Sequence, residues 1–373
     1  MEVKTNLAEL RAKRGMGASL LARKIGISRQ TVYAIEAGNY VPNTAVSLKM
    51  ARVLETTVDE LFQLETEERQ PDHTIEATIL GDIEQMKPGQ PLRLCTVGSH
   101  TVAVAPEIGG WGLPPADAVL VEVHHGKRHP SAKVQILGDK WKAASRILLA
   151  GCDPSVSILA QSLQAQGCEL IVRYENSSRA LELLRDGLVH VAGSHLLDKA
   201  TGKPDLAPLT KLFPRSTVAV FSYAMWEEGL VTGPGNPKCI TGIADLVRKG
   251  VRFTNRELGA GCRKLLDSCL KKAEISPDQV KGYDKITVGH LAAARLVRDG
   301  EVDCCVSTRV VARAMSLEFL PLAEKPYHLL IRRSHLDLQP VQALIETLGR
   351  AAYRREVEAH TGYNMRGAGE RLV

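Results

Sequence analysis

No apolar run in this chain of 373 residues approaches the roughly 20 residues that a membrane-spanning helix requires. The first residues, MEVKTNLAELRAKRG, also lack the hydrophobic core of a secretory signal. Both absences predict a cytoplasmic protein with no membrane partner. None of the eight cysteines (Cys95, Cys152, Cys168, Cys239, Cys262, Cys269, Cys304 and Cys305) forms a C-x-x-C pair, and no Cys/His group has zinc-finger spacing. They read as free thiols packed as small hydrophobes, with a thiol-based redox sensor as the alternative. A phosphate loop ending in Lys-Ser/Thr, a dinucleotide fingerprint, a nucleophile beside a base and a metal-ligand set are all missing, which speaks against an enzyme. What remains is an ordinary globular composition, 44% hydrophobic and 24% charged, with room for two or three domains. The net charge of +6 is compatible with nucleic acid without demanding it.

The stretch Gly17 to Tyr40, GASLLARKIGISRQTVYAIEAGNY, reads as helix, tight turn, helix. Ala22, Ile25, Ile27, Val32 and Ile35 are spaced to share one apolar seam. Gly26 stands at the break, where a left-handed backbone costs glycine little. Ser28 is placed to cap the second helix. Its exposed start carries Arg29, Gln30, Thr31 and Tyr33, a side-chain set suited to base edges and thymine methyls in a major groove. Asn6–Arg14 precedes it as a first helix; Asn43 or Thr44 caps a fourth, and Thr57 caps a short fifth, VDELF. Over residues 5–64 the chain resembles the lambda-repressor/Cro-like (XRE) helix-turn-helix family, carried by SRQTVYAIEAGNYVPNTAVSLKMARVLETTVDELF. The resemblance implies operator recognition, usually as a dimer on a two-fold site. Arg29, Gln30 and Thr31 are expected to read bases; Tyr33, Asn39 and Lys24 are expected to touch phosphates. Such domains often open the second helix with a polar phosphate contact, where this chain has Ala18 or Ser19.

A polar linker, LETEERQPDHT, follows. Residues 75–145 alternate short apolar runs with Gly/Pro-rich turns and read as a small β-rich connector. His124, His125 and His129 within it are read as solvated, because no Cys or carboxylate partner is spaced nearby. From Arg146 strands alternate with helices, predicting a mostly parallel sheet wrapped by helices, with ligands at strand C-terminal ends.

Three strand-to-helix turns there suit an anion: Gly151-Cys152-Asp153-Pro154-Ser155, Gly193-Ser194-His195, and Asn255 to Arg263. Together with LVTGPGNPKCITGIADL, GYDKITVGHLAAARLVRDGEVDCCVS and FLPLAEKPYHLLI, they resemble the periplasmic-binding-protein-like domain related to molybdate receptors. That resemblance covers about residues 146–370 and implies two α/β lobes with a ligand gripped between them. Asp153, Pro154, Ser155, Ser194, His195, Asn255, Arg256, Gly261, Cys262 and Arg263 match its ligand loops. Ser307, Thr308, Arg309 and Tyr327 are further candidates for the cleft. Asp153 reads equally as a helix cap, and His195 as a core histidine. Relatives usually carry Ser or Thr at Cys262, so plain molybdate is in doubt.

The expected fold class is therefore multidomain. An all-α five-helix helix-turn-helix domain (1–66) and a β-rich connector (67–145) precede an α/β two-lobed periplasmic-binding-protein-like (type II) domain (146–373). The expected function is a one-component transcriptional regulator binding operator DNA and a small anionic effector, molybdate or tungstate or a molybdenum-cofactor-related metabolite, with no other cofactor and no metal. Alternatives are an enzyme or accessory protein of molybdopterin metabolism, and an oligomerisation scaffold with an unused cleft.

Overall fold

The computed structural model describes residues 3–64, 74–106, 115–126, 128–195, 212–213 and 217–373, excepting the side chains of 63, 64, 139 and 140. The chain divides into two compact units, Met1–His73 and Thr74–Val373. Most of the expected linker and part of the Gly/Pro-rich turns, residues 107–114, lie outside the described residues. Among the described residues no helix is long and apolar enough to cross a membrane.

The first unit is a bundle of α1 (Leu7–Lys13), α2 (Ala18–Ile25), α3 (Arg29–Glu36), α4 (Thr44–Val53) and α5 (Val58–Leu61). Its core is Leu7, Leu21, Ile25, Val32, Ile35, Met50, Leu54 and Leu61, supplied by every helix. Gly26 adopts φ 78° and ends α2, releasing the chain into the turn. Asn43 caps α4 through a 3.0 Å bond from the Val46 N–H. Thr57 and Glu60 cap α5 reciprocally. One element departs from an all-α reading. Phe62 leaves the helix, and β2 (Phe62–Leu64) pairs antiparallel with β1 (Val3–Thr5), tying the two ends of the bundle together.

The second unit begins with the β-rich stretch, which is a closed five-stranded barrel. Around it run β3 (Thr74–Leu80), β5 (His100–Val104), β4 (Pro91–Val97), β6 (Ala118–His124) and β7 (Ser131–Ile136). The period-2 alternation of its strands is used on both faces. Leu92, Leu94, Ala103, Ala132 and Val134 fill the interior. Cys95, Val97, Val102 and Val104 face outward and share one apolar core with Leu148, Ala150, Ile171 and Leu181 of the following domain. An ion network closes the same seam. Arg146 donates to Asp117 at 2.9 and 3.3 Å and to Glu169 at 2.7 Å, while Arg93 bonds the same two carboxylates. A second tie runs from Arg128 and His129 to Asp186.

The remainder is one sheet, ordered β13-β12-β14-β11-β15-β10-β8-β9 with β16 beside β11. β8 (Arg146–Gly151), β9 (Glu169–Tyr174) and β10 (Val191–Ser194) are parallel and form the first lobe with α6 (Val156–Gln164) and α7 (Ser177–Arg185). In the second lobe, β12 (Phe253–Arg256) runs parallel to β13 (Ile286–Thr287) and β14 (Cys304–Thr308), with α8 (Gly261–Lys272), α9 (His290–Arg298) and α10 (Arg309–Ala314). Two fifteen-residue strands, β11 (Val218–Thr232) and β15 (Glu318–Arg332), cross between the lobes antiparallel to each other. The sheet is therefore mixed, a correction to the mostly parallel expectation: the helix-strand rhythm reports the lobes but not the long strands that join them. PLAEKPYHLLI lies within β15 and returns the chain to the first lobe as expected. The way out runs within β11, ahead of the VTGPG turn. α11 (Gln339–Gly349), α12 (Ala351–Ala359) and β16 (Tyr363–Asn364) complete the first lobe.

Candidate functional site

On α3 the Ser28 hydroxyl accepts the Thr31 N–H at 3.0 Å, so the helix begins where the sequence places it. Val32 and Ile35 are fully buried, and the opposite face presents Arg29, Gln30 and Tyr33 to solvent. The Arg29 guanidinium lies 5.3 Å from the Tyr33 ring and donates to its hydroxyl at 2.9 Å, one helical turn away. The Thr31 hydroxyl is shared with Ser28 at 2.8 Å. Lys24 and Asn39 are exposed on the flanking turns. Glu36, the acidic residue on this helix, is held by Arg11 at 2.6 Å.

In the larger unit, four polar residues with side-chain atoms buried without a hydrogen-bond partner stand at the ends of three strands. Ser194 Oγ closes β10; Asn255 Nδ2 and Arg256 Nη1 close β12; Thr308 Oγ1 closes β14. Facing Thr308 across the β11–β14 ladder is Glu228, whose Oε2 also lacks a partner. Burying such groups unpaired costs about 1–3 kcal/mol each, more for charged ones, so this set, drawn from both lobes, is the candidate site. The lobes already touch around it. The Asn176 side chain donates to the Leu258 carbonyl at 3.3 Å. A Cβ on Gly261 would stand 3.2 Å from the His195 ring and 3.5 Å from Glu228 Oε1.

Arg256 is 3% exposed; Nε and Nη2 bond Glu257 at 2.8 and 2.9 Å, leaving Nη1 as its unpartnered edge. Asn255 Oδ1 accepts the Arg256 N–H at 2.9 Å and fixes that strand end. Cys262 donates its thiol to Glu228 Oε1 at 3.5 Å and lies 3.8 Å from His290 Nδ1. His195 is wedged between Trp226 and Tyr327, with ring centroids at 4.7 and 5.0 Å. Its Nδ1 sits 3.2 Å from the Pro326 carbonyl, which can only accept, so Nδ1 carries the proton. Burial pushes the His195 pKa down to about 3, keeping the ring neutral with an Nε2 lone pair 3.9 Å from Glu228.

Several sequence candidates do other work. Asp153 is fully buried, and its Oδ1 takes 2.7 Å bonds from the Ser155 N–H, the Ser155 hydroxyl and the Tyr363 hydroxyl. Burial raises its pKa to about 6 against those bonds. The Ser155 hydroxyl continues through Tyr223 to Tyr353, so Asp153 Oδ1 and Ser155 belong to an internal polar chain, while Asp153 Oδ2 is buried without a partner. Pro154 is half-buried in the turn between them. Arg263 stacks 4.9 Å over Tyr283 and donates to the Arg256 carbonyl at 3.1 Å, so it braces Arg256 instead of joining it. Tyr327 is fully buried, and its hydroxyl accepts the Cys152 N–H at 3.1 Å. Ser307 faces His290, and Arg309 is paired with Glu227. His129 is bonded to Asp186, His125 is exposed, and no trio of His, Cys, Asp or Glu among the described residues is placed to hold a metal. Burial pushes the Cys152 thiol up to about 12 and Cys262 well above its ordinary value, which opposes the thiolate a redox sensor needs.

Glu228 escaped the sequence reading. In the run MWEEGLVT, strand alternation places Glu227 and Glu228 on opposite faces but does not say which face is buried.

The family described as PBP superfamily domain matches residues 160–349, and the helix-turn-helix family matches residues 7–61. The protein YvgK of Bacillus subtilis (strain 168) is 29% identical over 228 residues, covering 61% of this chain and 73% of its own length. The HTH-type transcriptional regulator YgzD of the same organism is 38% identical over 65 residues, 17% of this chain and 98% of that protein. Among solved structures, the sulfate-binding protein SubI from Mycobacterium tuberculosis superposes with a TM-score of 0.45 at 18% identity, covering 58% of this chain and 86% of SubI. With its sheet of two lobes and the match over residues 160–349, the chain belongs to the PBP superfamily-domain family and carries an XRE-type helix-turn-helix domain at its N-terminus.

Proposed function

We propose that this helix-turn-helix regulator reads operator DNA with α3 and senses a small anion between the lobes of its binding domain, without catalysing a reaction. The observation that carries the effector half is Arg256: a guanidinium 3% exposed with Nη1 unpartnered, set among the unpartnered Ser194, Asn255 and Thr308 side chains. A buried cationic donor of this kind is satisfied by an oxyanion. Molybdate, tungstate or a related metabolite bearing an oxyanion fits that chemistry. The proposed ligand set is now centred on Ser194, His195, Asn255, Arg256, Gly261 and Cys262, with Asp153, Ser155 and Arg263 shaping the site from behind.

Full-length protein is titrated with molybdate, tungstate, sulfate and phosphate by calorimetry and thermal shift. The best ligand at a hundredfold excess over its Kd should stabilise the protein by about 2.7 kcal/mol. Arg256→Ala should weaken that ligand by about 1.5–3 kcal/mol, or roughly 10- to 150-fold. An unchanged Kd in a folded Arg256→Ala variant sinks the oxyanion reading.

In the DNA half, Gln30 is the exposed amide at the second position of α3 and is assigned to base readout; Lys24 and Asn39 are assigned to phosphates. Gln30→Ala should cost about 1–3 kcal/mol at one base position and leave the others alone, whereas Lys24→Ala should weaken all sequences alike and flatten the salt dependence. Binding selections on randomised operators distinguish the two patterns. Uniform weakening by Gln30→Ala would move it to the backbone-contact class. The protein is further proposed to act in the cytoplasm as a homodimer on a two-fold operator, which sedimentation with and without DNA would test.

A further inference from the structure

Arg29 and Tyr33 stand one turn apart on the exposed face of α3, and they hold each other. The Tyr33 hydroxyl accepts from Arg29 Nε at 3.3 Å and from Nη2 at 2.9 Å. The guanidinium carbon lies 5.3 Å from the centre of the Tyr33 ring. Both bonds use the same side of the guanidinium. Arginine carries five N–H groups in one planar fork. Fixing the Nε–Nη2 side therefore leaves its end, Nη1 and the outer hydrogen of Nη2, without a partner among the described residues.

The neighbouring side chains leave this pair alone. Glu36, the acid of the helix, is taken on both oxygens by Arg11, at 2.6 and 3.2 Å. The Thr31 hydroxyl is shared with Ser28 at 2.8 Å. Gln30 is exposed. The first turn of α3 can therefore bring two polar groups to a base edge, the Arg29 fork and the Gln30 amide.

A surface arginine ordinarily samples many rotamers, and that freedom is lost on binding. Here a ring and a hydroxyl fix the guanidinium before DNA arrives. An end-on fork matches guanine, whose O6 and N7 accept two N–H bonds side by side in the major groove. Tyr33 keeps its own O–H proton, because its oxygen only accepts from Arg29. A phosphate oxygen beside the groove can take that proton as a hydrogen bond.

We propose that Tyr33 is a positioning residue for base readout: it aims the Arg29 fork at a guanine of the operator while donating its own O–H to a phosphate. The inference rests on the reading of α3 as the recognition helix and names part of the sequence that helix recognises. Tyr33 is then more than a backbone contact, since its effect on specificity passes through Arg29.

The test uses the full chain, with binding selections on randomised duplexes and titration of the selected duplex and its single-base variants. Wild type should prefer guanine at the Arg29 position by roughly 5- to 150-fold, and Arg29→Ala should erase that preference. Replacing this guanine by 7-deazaguanine, which lacks the N7 acceptor, should weaken wild type by about fivefold or more and Arg29→Ala not at all. Tyr33→Leu removes both ring and hydroxyl. It should cut the guanine preference by about fivefold or more and leave the preference at the Gln30 position unchanged. Tyr33→Phe keeps the ring and should fall between. With Arg29→Ala already present, Tyr33→Leu should weaken all sequences alike, because no fork remains to be aimed. Tyr33 is 44% exposed, so the variants should melt with the wild type.

If Tyr33→Leu weakens every sequence equally while the guanine preference stands, Tyr33 is a backbone contact alone. The inference is then overturned and recognition by α3 survives. The same holds if Arg29 prefers no guanine while Gln30→Ala still alters one base position. If neither Arg29→Ala nor Gln30→Ala changes any base preference, α3 is not the reading helix and both readings fall.

Discussion

Replacing Arg146 with alanine is expected to destabilise the larger unit by about 3–5 kcal/mol, because it strands a buried carboxylate. Arg146 is 7% exposed and spans two structures: it starts β8 of the first lobe, while Asp117 immediately precedes β6 of the barrel. Asp117 is itself 8% exposed and accepts from Arg146, Arg93 and the Leu94 N–H. Removing Arg146 leaves Arg93 as the remaining cation and frees the Leu94 carbonyl, which Arg146 also bonds at 2.8 Å. Urea unfolding followed by tryptophan fluorescence would read the loss. Arg146→Ala combined with Asp117→Ala should cost less than the sum of the single changes, since the second removes the charge that the first exposes. The pH dependence has a definite sign. Burial pushes the Asp117 carboxyl up, but the Leu94 N–H and the two arginines outweigh it and hold it below its ordinary value. A depressed carboxylate contributes stability above its unfolded pKa of about 3.9 and loses it as pH falls through the folded value. The gap between wild type and Arg146→Ala should therefore be full at pH 7 and narrow below about pH 4. A gap independent of pH would mean that the lost packing of the arginine stem accounts for the whole effect.

Gly229→Ala is the second large effect, of about 3 kcal/mol or more, at the upper end of what overpacking usually costs. Gly229 lies at a register shift where β11 runs against β15. A Cβ there would fall 2.1 Å from the Leu320 carbonyl oxygen and 2.8 Å from Phe319. The obstacle is main chain of the other crossing strand, so no rotamer change relieves it; the two strands must part. Glu228 is the preceding residue, and the displacement should also weaken anion binding by at least tenfold. Gly233→Ala supplies the control, since its Cβ would meet only Pro237 at an ordinary 3.7 Å. Its melting point should stay close to wild type. Equal melting points for the two variants would show that the crossing strands yield more easily than their ladder implies.

Local chemistry made much of this legible in advance. Ser28 and Thr57 cap the helices that the sequence assigns them, and Asn43 takes the cap left between it and Thr44, because a cap depends only on a side chain and the three residues after it. The strand ends are legible too: Ser194 ends β10, and Asn255 and Arg256 end β12, as the βα rhythm places them. What escaped depends on partners distant in sequence. The barrel closes only when Thr78–Leu80 meets Val102–Val104 in a parallel pairing that no local pattern announces. Arg263 looked equivalent to Arg256, but Tyr283, twenty residues on, takes its guanidinium. Asp153 receives Tyr363, near the other end of the domain, on Oδ1, a partner that the turn Gly151 to Ser155 does not announce.

The crossing strands also set an order of assembly. Everything in the second lobe, from Leu230 to Leu320, is one uninterrupted stretch with its own apolar core, ready to fold as it leaves the ribosome. The first lobe has no such independence. Val191 pairs with Ile331, and the core that holds Ile147, Leu159 and Leu170 is finished by Leu329, Val341, Tyr353 and Met365. At ~5–20 residues per second, the chain between Val191 and Ile331 takes roughly 7–30 s to synthesise. For that interval β8, β9 and β10 have the barrel and α7 on one side, and α6 but not β15, α11 or α12 on the other, so the later lobe is built before the earlier one can close. The barrel shares its outer core with those same strands and waits with them. The nascent first lobe is therefore the part of this protein whose apolar surface stays open longest; the half of β15 from Tyr327 to Arg332 begins to close it, and α11 and α12 complete it.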